Sequence, residues 1–374
     1  MSAILETRFR QPAFRGEAVP VTQAQRPRLG LVMGAGQHVN PADGKRRFDL
    51  SVIDLDDPDF PMVLVPMPFF GHGICADPVN PELVSVFEKR GKGACEINLK
   101  EGSVTRTIPT TANRQFYGHG AYSPDGKFLY CTETVVEDDY EGLIAVRDAK
   151  THEALGEFPS FGSSPHDCHL IDDGATMVVT NGGGPLEGVA PSVAYVDVKT
   201  QQLLDKLEFE TQHINAGHLD ISSSGGLAVV SAQREGLSDR ALGGITLKLA
   251  NGRFHTLTEP ADVVQRLLGE TLSVCLHEAA GIVGATTPAG NLLTFWDLNS
   301  GELVRCYQLQ NPRGIELSQD GRHFIVSFGF GNPPEALCLI SATSLEKIDG
   351  YDLAATWITG SHLFSYSLAP ALPA

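Results

Sequence analysis

Arg114-Gln-Phe-Tyr-Gly-His-Gly-Ala-Tyr-Ser-Pro-Asp-Gly-Lys-Phe-Leu-Tyr-Cys-Thr132 holds the unit from which the fold is read. A histidine flanked by glycine opens a short apolar strand. Ser123-Pro-Asp-Gly126 then turns the chain, with Gly supplying the positive φ, and Phe128-Leu-Tyr-Cys-Thr132 returns as a β-branched and aromatic strand. The pattern recurs around His72 in Gly-His-Gly, His166 in Ser-Pro-His-Asp, His218 in Gly-His-Leu-Asp and His362 in Ser-His-Leu. His72, His119 and His166 follow one another at 47 residues, and His218 comes 52 after that. A period of this length belongs to repeat architectures. Turns at Asp172-Asp-Gly174, Ser222-Ser-Ser-Gly225 and Gln319-Asp-Gly321 repeat the signal. Behind them come a second strand, a third such as Leu143-Ile-Ala-Val-Arg-Asp148, and a more polar fourth such as Glu153-Ala-Leu-Gly-Glu-Phe158.

Four strands per repeat is a propeller blade, so the sequence predicts an all-β chain folded as a seven-bladed β-propeller. Six blades are expected over residues 70–113, 114–162, 163–213, 214–262, 263–310 and 311–356. The seventh is expected to be closed by N- and C-terminal strands: Ser361-His-Leu-Phe-Ser-Tyr366 inside, with strands from Leu29, Phe48 and Met62 outside it. Such closure removes two free sheet edges. Residues 26–374 read as one domain and 1–25 as a polar extension; only the segment starting Ala261-Asp-Val-Val looks helical.

The formal net charge of −17 and the pI near 5.1 exclude a nucleic-acid groove or an anionic membrane surface as the expected partner, since both reward clustered Lys and Arg. No apolar run is long enough to span a bilayer. The opening residues show no apolar stretch after their basic residues, so no secretory signal is expected. The seven cysteines include no Cys-x-x-Cys pair and read as free thiols, which points to the cytoplasm.

Aligning the turns completes the ring. Arg313 lies eight residues before Gly321, as His166 does before Gly174, and Ser273 lies eight before Gly281. The expected channel mouth is therefore His72, His119, His166, His218, Ser273, Arg313 and His362. Imidazoles arriving singly from separate blades can meet on the axis and hold a metal without any local His-x-x-His spacing. The five histidines are the expected metal ligands, for iron or copper and in third place zinc. Asp167 and Asp220 are expected beside the cofactor, as ligands or as acceptors for the second ring nitrogen, with Glu316 a further carboxylate of that kind. Arg313 adds a fixed charge for a small anionic ligand.

A structural role competes with this reading, because a Gly-His dipeptide in WD-type propellers is a buried hydrogen-bonding strut. There it precedes the turn by about nine residues, whereas His119 precedes Ser123 by four, which places it on the inner strand. His38, His152, His213, His255, His277 and His323 read as surface or core residues. Cys168, two residues past His166, is the one thiolate that strand alternation turns toward the axis, although a buried apolar thiol is the plainer reading. Asn181-Gly-Gly-Gly-Pro185 reads as a wide loop at a blade edge rather than a phosphate loop, and Glu133 with the acidic loop Glu137–Glu141 as a weak cation attractor.

Arg114–Gly126, Gly156-Glu-Phe-Pro-Ser160, Ser164-Pro-His-Asp167, Val178-Val-Thr-Asn-Gly-Gly183 and Pro191–Asp197 resemble an uncharacterised bacterial family of seven-bladed propellers. Its members are often encoded beside imelysin-type iron-uptake proteins and di-haem oxidoreductases, and usually carry a twin-arginine export signal. The resemblance implies the propeller, a link to metal acquisition by neighbourhood, and a periplasmic alternative for location; it supplies no reaction. A looser analogy runs to the copper-binding propellers of the nitrous oxide reductase and selenium-binding protein families, where similar motifs send histidines to the axis. The function expected is metal binding, in metal homeostasis or as a redox accessory protein. Two alternatives remain: a lactonase-like or oxidase enzyme working at the same mouth, and a scaffold for a protein partner without metal.

Overall fold

Runs of β-branched and aromatic residues joined by Gly-, Asp- and Ser-containing turns form antiparallel hairpins, and strands pair with their sequence neighbours. The structure is a computed structural model that describes residues 28–136, 140–331 and 334–367. The expected polar extension over residues 1–25 and most of the acidic loop lie outside them.

Among the described residues the chain is an all-β propeller. Four-stranded sheets follow one another over residues 165–208, 219–256, 273–308 and 315–354. Residues 71–163 form an eight-stranded sheet, in which two four-stranded units meet where Lys89 pairs with Tyr117 and Gly91 with Phe116. A further four-stranded sheet joins the two ends of the chain in the order Phe364–Tyr366, Leu31–Val39, Arg46–Asp54, Met62–Met67. In it Leu31 pairs with Tyr366 and Met33 with Phe364, as expected of a closing unit. The expected helix is one short turn, Ala261–Val264. No helix among the described residues is long and apolar enough to cross a membrane.

Alternating residues of facing sheets fill the spaces between units. Met33, Leu50 and Val65 meet Val84, Val86 and Ile97, while Leu247, Leu276 and Val283 close around the buried Trp296, whose Nε1 donates to Thr294 Oγ1 at 2.9 Å. Each such side chain contributes roughly 1.5–3 kcal/mol on burial. Glu133, expected to attract a cation, is buried against Arg147 at 2.7 Å, so its charge is already matched inside the fold.

Candidate metal centre

Three ring histidines sit where the innermost strand departs from regular pairing. The register of Gly71–Ala76 slips between Gly71 and Ile74, that of Arg114–Tyr122 between Phe116 and Gly120, and that of Pro165–Ile171 between Pro165 and Cys168. Bulges of this kind bend the strand and re-aim a side chain. In four units a buried hydroxyl on the second strand holds the inner strand near the ring position, two of them at such a departure. The His119 amide donates to Thr132 Oγ1 at 3.3 Å, Asp167 to Thr180 at 3.0 Å, Ser273 to Thr286 at 3.1 Å and Gly314 to Ser327 Oγ at 2.8 Å, always across a sequence separation of 13. The same hydroxyls reach into the next unit: Thr180 donates to Gly217 O at 2.6 Å and Thr286 to Arg313 O at 2.5 Å. The latch thus fixes the ring position of one unit against that of its neighbour.

Glycine is required beside the rings. Gly118 has φ of 114°, and a Cβ there would lie 2.5 Å from Cδ2 of His72; a Cβ at Gly73 would lie 2.7 Å from Nδ1 of His119.

The five imidazoles converge. His218 Nε2 lies 3.1 Å from His72 Nε2, 2.7 Å from His166 Nε2 and 2.8 Å from His362 Nε2, and His72 and His166 are 3.3 Å apart. The His119 ring stands 5.0 Å from that of His72 and 4.8 Å from that of His362, centroid to centroid. One nitrogen each from His72, His119, His218 and His362 falls within a span of 4.8 Å. Ligands at 2.0–2.1 Å from one ion would be about 3.3 Å apart in a tetrahedral site and about 2.9 Å apart as octahedral neighbours, close to the separations among His72, His166, His218 and His362.

Hydrogen-bond chemistry sharpens the fit. His218 Nδ1 bonds to the carbonyl of Leu272, which only accepts, so the proton sits on Nδ1 and Nε2 turns a lone pair toward the three other rings. His119 Nδ1 lies 3.1 Å from Asp167 Oδ1, which likewise leaves Nε2 as the lone pair, and that buried Nε2 has no hydrogen-bond partner in the protein. A carboxylate behind a histidine that faces an ion is the usual support of a metal ligand.

Burial first, and then mutual repulsion and the Lys89 charge, hold His72, His166 and His218 well below the ordinary histidine value. Burial likewise lowers His362, and it lowers His119 to about 4 despite the opposing pull of Asp167. All five are therefore neutral near pH 7, the form that binds metal. Burial would raise Asp167, but His119 and His169 outweigh it and keep the carboxylate ionised.

Other expected site residues have partners within the scaffold. Asp220 makes no hydrogen bond to a ring imidazole; it accepts from the amides of Ile221 at 2.8 Å and Leu276 at 2.6 Å, tying adjacent units together, and Glu316 caps its own neighbour Leu317 at 2.8 Å. Ser273 stays in its strand, its hydroxyl accepting from Ile315 N at 3.3 Å. Cys168 does not face the ring: it packs with Tyr130, Ile144, Phe158 and Met177, and burial pushes its thiol up. The bulge just before it inverts the alternation on which the thiolate reading relied.

Beside the ring opens a cleft of about 1090 Å³, with His72, His166 and Arg313 in its wall. The Gly182–Pro185 segment, read as a blade-edge loop, lines this cleft and is pinned by the buried Arg234, which donates to Gly184 O at 2.8 Å and Val189 O at 2.9 Å. Lys89 is a cleft residue that the histidine spacing does not reveal. Its only sequence signal is the charged end, Glu88-Lys-Arg90, of an otherwise apolar strand.

A family described as "Protein of unknown function (DUF1513)" matches residues 65–351. No curated protein matches the chain in sequence. Among solved structures, a chain of "Kuenenia stuttgartiensis Hydrazine Synthase" superposes with a TM-score of 0.62 at 14% identity, covering 81% of this chain and 94% of that one. A chain of "Dihydro-heme d1 dehydrogenase NirN in complex with DHE" gives 0.53 at 12%, covering 89% and 75%, and one of "Crystal Structure of Mitotic Checkpoint Complex" 0.55 at 15%, covering 75% and 79%. These likenesses show the propeller fold alone. The chain belongs to the DUF1513 family, by a match over most of its length.

Proposed function

We propose that this member of the family binds one transition-metal ion at the axis of a seven-bladed propeller, the eight-stranded sheet counting as two blades. The ligands are drawn from His72, His119, His166, His218 and His362. The observation that carries the reading is the lone pair of His218 Nε2, which faces three further Nε2 atoms at 2.7–3.1 Å. Without an ion, three N–H groups would have to share one acceptor. Imidazole donors suit copper and iron, with zinc third. The resemblance to propellers encoded beside iron-uptake proteins supports a role in metal homeostasis or as a redox accessory. Seven free thiols accord with a cytoplasmic location, the periplasm being the alternative.

Elemental analysis of protein purified without an affinity tag tests the reading. About one equivalent of iron, copper or zinc is expected, lost in the His119→Ala, His166→Ala double variant while the circular dichroism spectrum is kept. A wild type that holds no metal, with no affinity better than about millimolar for iron, copper or zinc, rejects it. The cleft beside the ring favours a second reading, in which the ion polarises a small substrate. Turnover of lactones or thiols, lost with Arg313, would support that enzyme.

A further inference from the structure

Four cations line the cleft, and two of them are committed to the protein. Arg90 donates to Tyr117 Oη at 3.0 and 3.2 Å, and Arg234 is spent on the carbonyls of the glycine segment. The other two are Lys89 and Arg313. The half-buried Lys89 ammonium makes no hydrogen bond or ion pair among the described residues, yet its charge is felt by all five ring histidines. Arg313 gives Nε to Gly360 O at 3.1 Å and leaves its terminal amino groups without a protein acceptor among the described residues. The Glu270 carboxylate faces both cations and offsets one of the two charges.

Charge balance adds to this. Five neutral imidazoles do not compensate a divalent ion, and Asp167 reaches it only through His119. Glu88, Glu235 and Asp239 line the cleft with Glu270 and balance its four cations in number, so an ion on the ring would be what makes the mouth net positive, with Lys89 and Arg313 left as the donors not bound to a protein acceptor. The volume is that of a site for a small organic molecule rather than for a monatomic counter-ion.

We propose that the cleft binds a small carboxylate-bearing anion, held by Lys89 and Arg313 with one oxygen toward the metal. This rests on the metal reading above. Paired cationic donors suit a carboxylate because charge-assisted hydrogen bonds are the strong ones.

The test titrates malonate into the copper(II)-loaded full chain, followed by calorimetry and by the copper electron paramagnetic resonance spectrum, with malonamide as the uncharged shape control. Malonate is expected to bind and shift the copper signal, and malonamide to do neither. Lys89→Met and Arg313→Gln are each expected to weaken malonate roughly tenfold to a hundredfold with copper content unchanged. Lys89→Arg should restore most of the loss, which separates charge from a folding defect. Copper-loaded wild type that ignores malonate, yields its copper to it, or binds it equally in all variants overturns the anion site and leaves the metal reading standing. A wild type that takes up no copper overturns the metal reading and this inference together.

Discussion

Two of the sectors that carry histidine share a backbone device with the two that do not. Thr132 and Thr180 hold the inner strand beside His119 and Asp167, and Thr286 and Ser327 hold it at Ser273 and Gly314, with the same separation of 13. The side chains delivered to the axis nevertheless differ: five imidazoles gather against one another, while Arg313 opens onto the cleft that His72 and His166 also line. The latch belongs to the scaffold and recurs because every unit must be joined to the next. The chemistry belongs to the residue that stands at the ring position of each inner strand.

Replacing the hub of the histidine sectors tests this division most severely. His218→Ala removes the ring that touches three others, and metal affinity is expected to fall by about a thousandfold or more, equivalent to ~4 kcal/mol, in a calorimetric titration. A loss of less than tenfold would mean that the imidazoles are struts. A paired substitution sharpens the contrast. Thr180→Val and Thr286→Val should each cost roughly 1–3 kcal/mol in urea unfolding, since both strip a buried hydrogen-bonding group. Only Thr180→Val should also weaken metal, by roughly tenfold to a hundredfold, because it supports the strand that carries His166 and Asp167. Equal metal affinities in the two variants would erase the distinction.

Acid should separate the two sides as well. The buried ring histidines have folded values below their unfolded value, so the unfolded chain binds more protons between about pH 6.5 and the folded values, about 4 for His119. Stability of the metal-free protein is therefore complete above that window and lost as pH falls through it. Thermal melts of the wild type should drop steeply from pH 6.5 to 4.5, and His166→Gln should flatten that slope. The smallest effect is expected at the sector without histidine: Arg313→Gln, in a buffer free of carboxylates, should raise metal affinity a few-fold by removing a nearby positive charge, roughly 1 kcal/mol in all. A decrease would show that Arg313 supports the ring rather than opposing the ion.

The unit boundaries were legible in the sequence because hairpin turns impose Gly, Asp and Ser at fixed offsets, and strand composition between them follows burial. Counting from those turns also brought His72, His119, His166, His218 and His362 to one place, since the repeat preserves height along the axis. Simple strand alternation fails past a bulge. Alternation alone turns Cys168 to the face of His166, but the slipped register sends it into the core among Tyr130 and Met177, in keeping with the plainer reading of a buried apolar thiol. Asp220 shows a different limit: its carboxylate satisfies the amide of Leu276 in the following unit, a tertiary need that leaves no mark near position 220. Lys89 escaped notice because it reaches the mouth from the strand Leu83–Gly91, which carries no ring histidine. The hydroxyl latch of four units is present in the sequence as a Thr or Ser 13 or 14 residues behind the ring position, hidden by the ordinary abundance of Thr in strands.

The pairing of Leu31–Met33 with Phe364–Tyr366 has a temporal meaning. His362 comes with that last strand, so a nascent chain still on the ribosome short of it has four of the five imidazoles and an unsealed ring. On the proposed metal reading, the complete ligand set would exist only once translation has passed the final sector, and bound metal would report that the circle has been shut.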